Sequence, residues 1–232
     1  MSTVNLDNIK KDICEAAETL VQSGIMTKSN HGNISIRVPN EDAFLMTSGG
    51  GLASMKPENI ALFRLDGSLI EGTVAPVGGE IIQMHAIVYR TRPEFASVIH
   101  THSPFATGFA VAGKTIPPAY EALVRNGMIS GVPLAGYGPR GSDQSVRNIE
   151  AVLKEYSTIK GLLLENHGVL TFADTVNGAF RANMTIEESA EIMLNAYKLG
   201  GPKLIPEYEI AATRDRAAEF AAAGSYSAQR PS

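Results

Sequence analysis

Ala96-Ser97-Val98-Ile99-His100-Thr101-His102-Ser103-Pro104 joins an apolar run to two histidines set one residue apart. The run reads as a buried strand, and in extended backbone residues i and i+2 face the same side. His100 and His102 can therefore aim two imidazoles at one point. A third histidine, His167, closes a second apolar run, Gly161-Leu162-Leu163-Leu164-Glu165-Asn166-His167-Gly168. A lone histidine is more often a satisfied polar group than a ligand. An H-x-H pair at one strand end, with a partner at another, points instead to a metal site. Three neutral imidazoles that leave a coordination position open are the usual donor set of a catalytic zinc-type centre.

The segments around this stretch carry their own signals. Leu6, Ile9, Ile13, Ala16, Ala17 and Leu20 recur at helical spacing, with Asp7 as the expected cap and Gly24 as the stop. Ile34, Ile36 and Val38 alternate as a half-buried strand does, and Phe44 to Thr47 reads as a second strand ended by Ser48-Gly49-Gly50-Gly51. Asp66-Gly67 between Ile60–Leu65 and Ser68–Glu71 predicts a hairpin. Glu80 to Arg92 is expected to be helical and to stop before Pro93. Strand 96–102 then leads into Ser103-Pro104, a cap followed by proline at the first helical position. Further helices are expected over 142–156 and from about Asp174 to Leu199, with strands on both sides of His167-Gly168. Hairpin-linked strands with helices towards both ends predict an α/β fold, a central and predominantly antiparallel sheet sandwiched by helices. Gly49-Gly50-Gly51 is not followed by the helix that a G-x-G-x-x-G dinucleotide site needs, so that fold is excluded.

At 232 residues, 44% apolar and 19% charged, the chain can bury a full core. The expected organisation is one domain over residues 1–205 and a tail over 206–232. That alanine-rich, charged tail reads either as mobile or as a short helix packed on a neighbouring subunit. A formal net charge of −4 without a basic block argues against a nucleic-acid partner. The single cysteine, Cys14, reads as a small apolar group on a helix and excludes an internal disulfide. No apolar run approaches the ~20 residues that span a bilayer, and the N-terminus lacks a signal-peptide core. The expectation is a soluble, cytoplasmic protein without a membrane partner.

Five segments occur in a fixed order: Gly32-Asn33-Ile34-Ser35-Ile36-Arg37, Leu45-Met46-Thr47-Ser48-Gly49, Pro76 to Glu80, His100-Thr101-His102 and Asn166-His167-Gly168. Together they resemble the class II aldolase/adducin family, from about residue 8 to residue 200. The resemblance implies an α/β/α sandwich, one divalent metal per subunit and often a fourfold-symmetric homotetramer. Zinc is the usual metal, although three imidazoles also suit manganese, iron or cobalt. By position it makes His100, His102 and His167 the ligands and Glu80 the acid/base. It makes Asn33, Ser48 and Gly49 the substrate or phosphate cradle.

The chain departs from the sugar-phosphate aldolases of that family in two places. Where they carry paired serines before the glutamate, Gly78 and Gly79 stand here, able to offer only backbone N–H groups to an anion. The spacing from Glu80 through His85 to His100 is also one residue longer. Both favour an unphosphorylated carbonyl or carboxylate substrate. Arg140, in Gly138-Pro139-Arg140-Gly141-Ser142, reads as a cation for a carboxylate or as a solvated loop charge. Tyr120 reads as the acid for a leaving oxygen or as a partly buried structural ring. His31 is either a substrate contact or a turn residue and stands outside the catalytic set; His85 is expected on an inner helix face with no metal role.

Three activities fit these residues. The first is a metal-dependent lyase cleaving a C–C bond of a small hydroxy-carbonyl compound through a metal-stabilised enolate. The second is decarboxylation of a keto-acid or aromatic acid on the same metal. The third is a non-catalytic, adducin-like scaffold, which need not keep three imidazoles and an acid.

Overall fold

A computed structural model describes residues 5–75, 79 and 81–223. Eight strands form one sheet: β1 (Gly32–Arg37), β2 (Ala43–Thr47), β3 (Ile60–Arg64), β4 (Leu69–Glu71), β5 (Ser97–Thr101), β6 (Leu134–Ala135), β7 (Gly161–Leu164) and β8 (Gly168–Ala173). Their spatial order is β4-β3-β2-β1-β5-β8-β7-β6. Every ladder is antiparallel except β6 on β7. The sheet is therefore mixed, with the expected antiparallel character. The Asp66-Gly67 hairpin forms, and Gly67 takes φ 91°, a left-handed conformation that glycine adopts without a Cβ clash.

Alternation along the strands gives the sheet two apolar faces. Phe44, Met46, Phe63, Val98, Leu170 and Phe172 pack against α2 (Ile82–Thr91) and α5 (Asp143–Glu155). Their neighbours Leu45, Leu62 and Ile99 point the other way, onto α1 (Leu6–Gln22). Leu163 and Val169 on that side meet α3 (Pro104–Val111) and α6 (Val176–Lys198). The layers are helix, sheet, helix, as the period of the sequence predicts.

Several boundaries differ from expectation for local reasons. The cap of α1 is Asn5, whose Oδ1 accepts the Asp7 N–H at 2.9 Å; Asp7 instead lies in the first turn, favourable to the helix dipole. Helix α2 ends at Thr91 because Arg92 precedes Pro93 and takes φ −131°, ψ 77°. Residues 207–223 of the tail form a further helix, α7 (Glu207–Ala223), after the short α4 (Glu121–Arg125). Helix α7 lies against α4, and none of its residues is buried. No helix among the described residues is long and apolar enough to cross a membrane.

One polar chain is sealed into the α2 side of the core. His85 Nδ1 and Tyr89 Oη both meet Ser35 Oγ, at 2.8 and 2.7 Å. Burial pushes the His85 pKa down to about 3, whereas an unfolded histidine titrates near 6.5. Below pH ~6.5 the unfolded chain therefore takes up a proton that the folded chain refuses. Stability from this residue is complete above that pH and is lost on acidification, by about 2 kcal/mol at pH 5. Urea unfolding of wild type and His85→Gln at pH 7.5 and 5 should show the smaller loss in the variant. An identical loss in both would remove His85 from the acid response.

Candidate metal centre and cleft

The three histidines reach one point from two connections. His100 stands opposite Asn33 in the β1–β5 ladder, so both share the α2 side of the sheet. His102 follows just beyond the end of β5. His167 sits in the Glu165-Asn166-His167 turn between β7 and β8, so it is a turn residue rather than a strand residue. Asn166 takes the left-handed φ of 58°, which a short amide side chain tolerates. One donor atom from each ring lies within 4.8 Å of the others, and ring centroids are 4.7 to 5.2 Å apart.

The donor chemistry fits a cation. His100 Nδ1 lies 2.9 Å from the Val169 carbonyl oxygen, which can only accept, so Nδ1 carries the proton and Nε2 keeps its lone pair. That Nε2 lies 3.2 Å from His102 Nε2. Desolvation, foremost, and the neighbouring imidazoles hold the His100 pKa well below its ordinary value. Burial, with smaller repulsion from His31 and Arg140, lowers His102. Burial, with repulsion from His102 and Arg140, lowers His167 to about 4. At neutral pH all three rings are neutral, the form that coordinates a divalent metal.

Close packing behind the rings fixes them. A Cβ on Gly168 would stand 2.5 Å from the Thr101 carbonyl oxygen, 2.9 Å from His102 Cδ2 and 3.2 Å from His100 Cε1. On the opposite side of β5, Thr101 faces α6. Asn183 Nδ2 donates to Thr101 Oγ1 at 2.9 Å, and Ser103 Oγ donates to Asn183 Oδ1 at 3.1 Å. One turn along α6, the Glu187 carboxylate accepts the N–H groups of Phe105 and Ala106, both at 2.8 Å. Two side chains at i and i+4 thus grip residues 101–106, the segment that carries His102 out of the sheet. Desolvation raises the Glu187 pKa despite those two bonds. The sequence reading missed this pair, because nothing in the helix period distinguishes a buried clamp from a solvated face.

The rings open into a cleft of about 240 Å³, which also contains Asn33, Ser48, Gly49, Arg140 and His31. Asn33, Ser48, Gly49 and Arg140 are thus brought together with the histidines. Ser48 is engaged, its hydroxyl lying 2.7 Å from the Thr73 carbonyl and 3.1 Å from that of Asn59. Gly50 takes φ 72° in the glycine loop, and a Cβ on Gly49 would approach nothing nearer than 3.8 Å. Arg140 is carried by a loop tied at two points: Asn148 donates to the Gly136 carbonyl at 2.7 Å, and Glu165 accepts the Tyr137 N–H at 2.7 Å. These two anchors also escaped the sequence reading. Gly79 is exposed, with open space where a Cβ would stand. Gly78 and Glu80 lie outside the described residues. Tyr120 packs against the Leu123–Met128 cluster and does not line the cleft of its own chain.

A helix–sheet–helix fold with three imidazoles converging on an open cleft defines an α/β protein with a candidate metal site. Residues 11–194 match the model of the class II aldolase and adducin N-terminal domain, and the chain belongs to that family. It is 32% identical over 207 residues to the 5-deoxy-D-ribulose 1-phosphate aldolase of Bacillus thuringiensis serovar kurstaki, covering 88% of this chain and 93% of the relative. The 3-oxo-tetronate 4-phosphate decarboxylase of Cupriavidus necator is 28% identical over 192 residues, covering 80% of this chain and 83% of the relative. Among solved structures, an L-fuculose 1-phosphate aldolase superposes with a TM-score of 0.82 at 24% identity, covering 93% of this chain and 99% of the other, a likeness of fold. The chain is a lyase of the class II aldolase type.

Proposed function

We propose that the chain cleaves a C–C bond of a small anionic hydroxy-carbonyl compound by retro-aldol reaction, using one divalent cation held by His100, His102 and His167. The convergence of these rings carries the reading. Zinc is the first choice for three imidazoles with an open position, and manganese, iron and cobalt fit the same donors. When bound, such a cation supplies the positive charge that stabilises electrons left beside a carbonyl as the bond breaks.

The chain's own residues do the remainder. Arg140 lines the cleft beside the three rings, which favours an anion. Asn33 and the backbone of Gly49, Gly78 and Gly79 orient the substrate, and Arg140 holds its anionic group. Glu80 moves the proton. Tyr120 would serve as acid only towards the cleft of a neighbouring copy, in the cytoplasmic homotetramer that this reading includes. Residues 1–205 form the catalytic domain in this reading, and 206–232 a tail added to it.

The engaged Ser48 hydroxyl and the glycines at 78 and 79 favour an unphosphorylated substrate, although the relatives above are named for sugar phosphates or a tetronate phosphate. Arg140 in the cleft, with the Cupriavidus relative, supports decarboxylation as the second reading. The retained triad argues against a scaffold alone. Metal-loaded protein offered a panel of aldols and keto-acids should release aldehyde. Carbon dioxide without aldehyde would transfer the assignment to the decarboxylase. In the same assay Glu80→Gln should keep its metal and lose about a hundredfold or more in turnover; full turnover would strip Glu80 of the role.

A further inference from the structure

We propose that His31 is a specificity-determining residue that donates an N–H to a carboxylate oxygen of the substrate, one beyond the oxygens presented to the cation. This rests on the reading of the cleft as a lyase metal site. Asn30, at φ 50°, turns the chain so that His31 enters the cleft immediately before β1. Its ring stands edge-on to His102, with centroids 6.2 Å apart and planes at 83°. The residue is exposed, lines the cleft and makes no hydrogen bond to any described residue.

A residue needed only for the turn would not require an imidazole beside a ligand. In either tautomer, and when protonated, an imidazole keeps at least one N–H to donate. The triad leaves no N–H for this purpose at His100, whose Nδ1 is committed to Val169. With Arg140 in the same cleft beside donors for a divalent cation, the acceptor that fits is anionic. A cleft of about 240 Å³ accommodates a compact group such as a carboxylate on a short carbon chain. His31 therefore selects among ligands that chelate equally well, by the oxygen each carries next to the chelating pair.

The test uses cobalt-loaded protein and three hydroxamates that present the same two oxygens: acetohydroxamate, glycolohydroxamate with an added hydroxyl, and malonic monohydroxamate with an added carboxylate. Binding is read from the cobalt absorption, with no turnover involved. Wild type should bind the malonic compound at least about tenfold tighter than acetohydroxamate, the scale of one charge-assisted hydrogen bond. With Arg140 still in the cleft, His31→Ala should cut that preference at least about threefold without changing cobalt content or acetohydroxamate affinity, and His31→Gln, which keeps an N–H, should restore most of it. An unchanged preference in His31→Ala overturns the proposal, as does an equal weakening of all three compounds. A wild-type preference for the glycolic over the malonic compound overturns the carboxylate. Failure of cobalt-loaded wild type to bind acetohydroxamate overturns the underlying metal-site reading, and the proposal with it.

Discussion

His102→Ala and His167→Ala should each yield a folded chain that no longer retains stoichiometric metal and turns over at least about a thousandfold more slowly. Both rings are partly exposed, so truncation leaves a wider cleft rather than a sealed cavity. Unfolding midpoints should therefore stay near that of the metal-free wild type. His100→Ala is the harsher change, because that ring is buried and its Nδ1 satisfies the Val169 carbonyl. Removing it empties a buried site and gives up the bond to Val169, at about 1–3 kcal/mol. Metal content by elemental analysis, with circular dichroism for the fold, checks all three variants. Full metal occupancy in both His102→Ala and His167→Ala would exclude the triad.

Gly168→Ala should damage the centre without touching a ligand. The added methyl would lie 2.5 Å from a backbone carbonyl, which cannot swing aside, and against the rings of both His100 and His102. The β7–β8 turn or the end of β5 must shift, and His167 moves with the turn. A loss of about 1–3 kcal/mol in stability and about 10–100-fold in metal affinity is expected. Gly108→Ala is the control, since a Cβ there meets nothing within 4 Å on the exposed face of α3. It should be neutral or stabilising, by up to about 1 kcal/mol. Chelator competition and denaturant titration separate the two effects. Wild-type metal affinity in Gly168→Ala would mean that the packing behind the rings does not set their geometry.

Much of the fold is legible because apolar period is a local property. The alternation around Val98 and Ile99 places His100 and Thr101 on opposite faces before any contact is known. The Asp66-Gly67 hairpin and the Thr175-capped helix follow from short-range chemistry in the same way. The five ordered segments supply the family and the three histidines proposed as ligands. Legibility fails where a residue's role depends on a distant partner. Glu187 looks like one more charge on a long helix until α3 brings two N–H groups to it, 81 and 82 positions away in sequence. The Arg140 loop looks free until Asn148 and Glu165 tie it down. That Tyr120 stands outside the cleft of its own chain is likewise a matter of packing that no local pattern shows.

The amino-acid sequence by itself determined the strand and helix pattern, the three histidines proposed as donors and the family, because periodicity and motif order survive without coordinates. Only the tertiary structure decided that the donors meet, that His31 and Arg140 enter the same cleft, and that α6 grips the segment bearing His102. Those facts depend on strand order and on contacts between residues far apart in the chain. No local pattern encodes them, since the same polar residue serves equally well on a solvated face until packing brings it a partner.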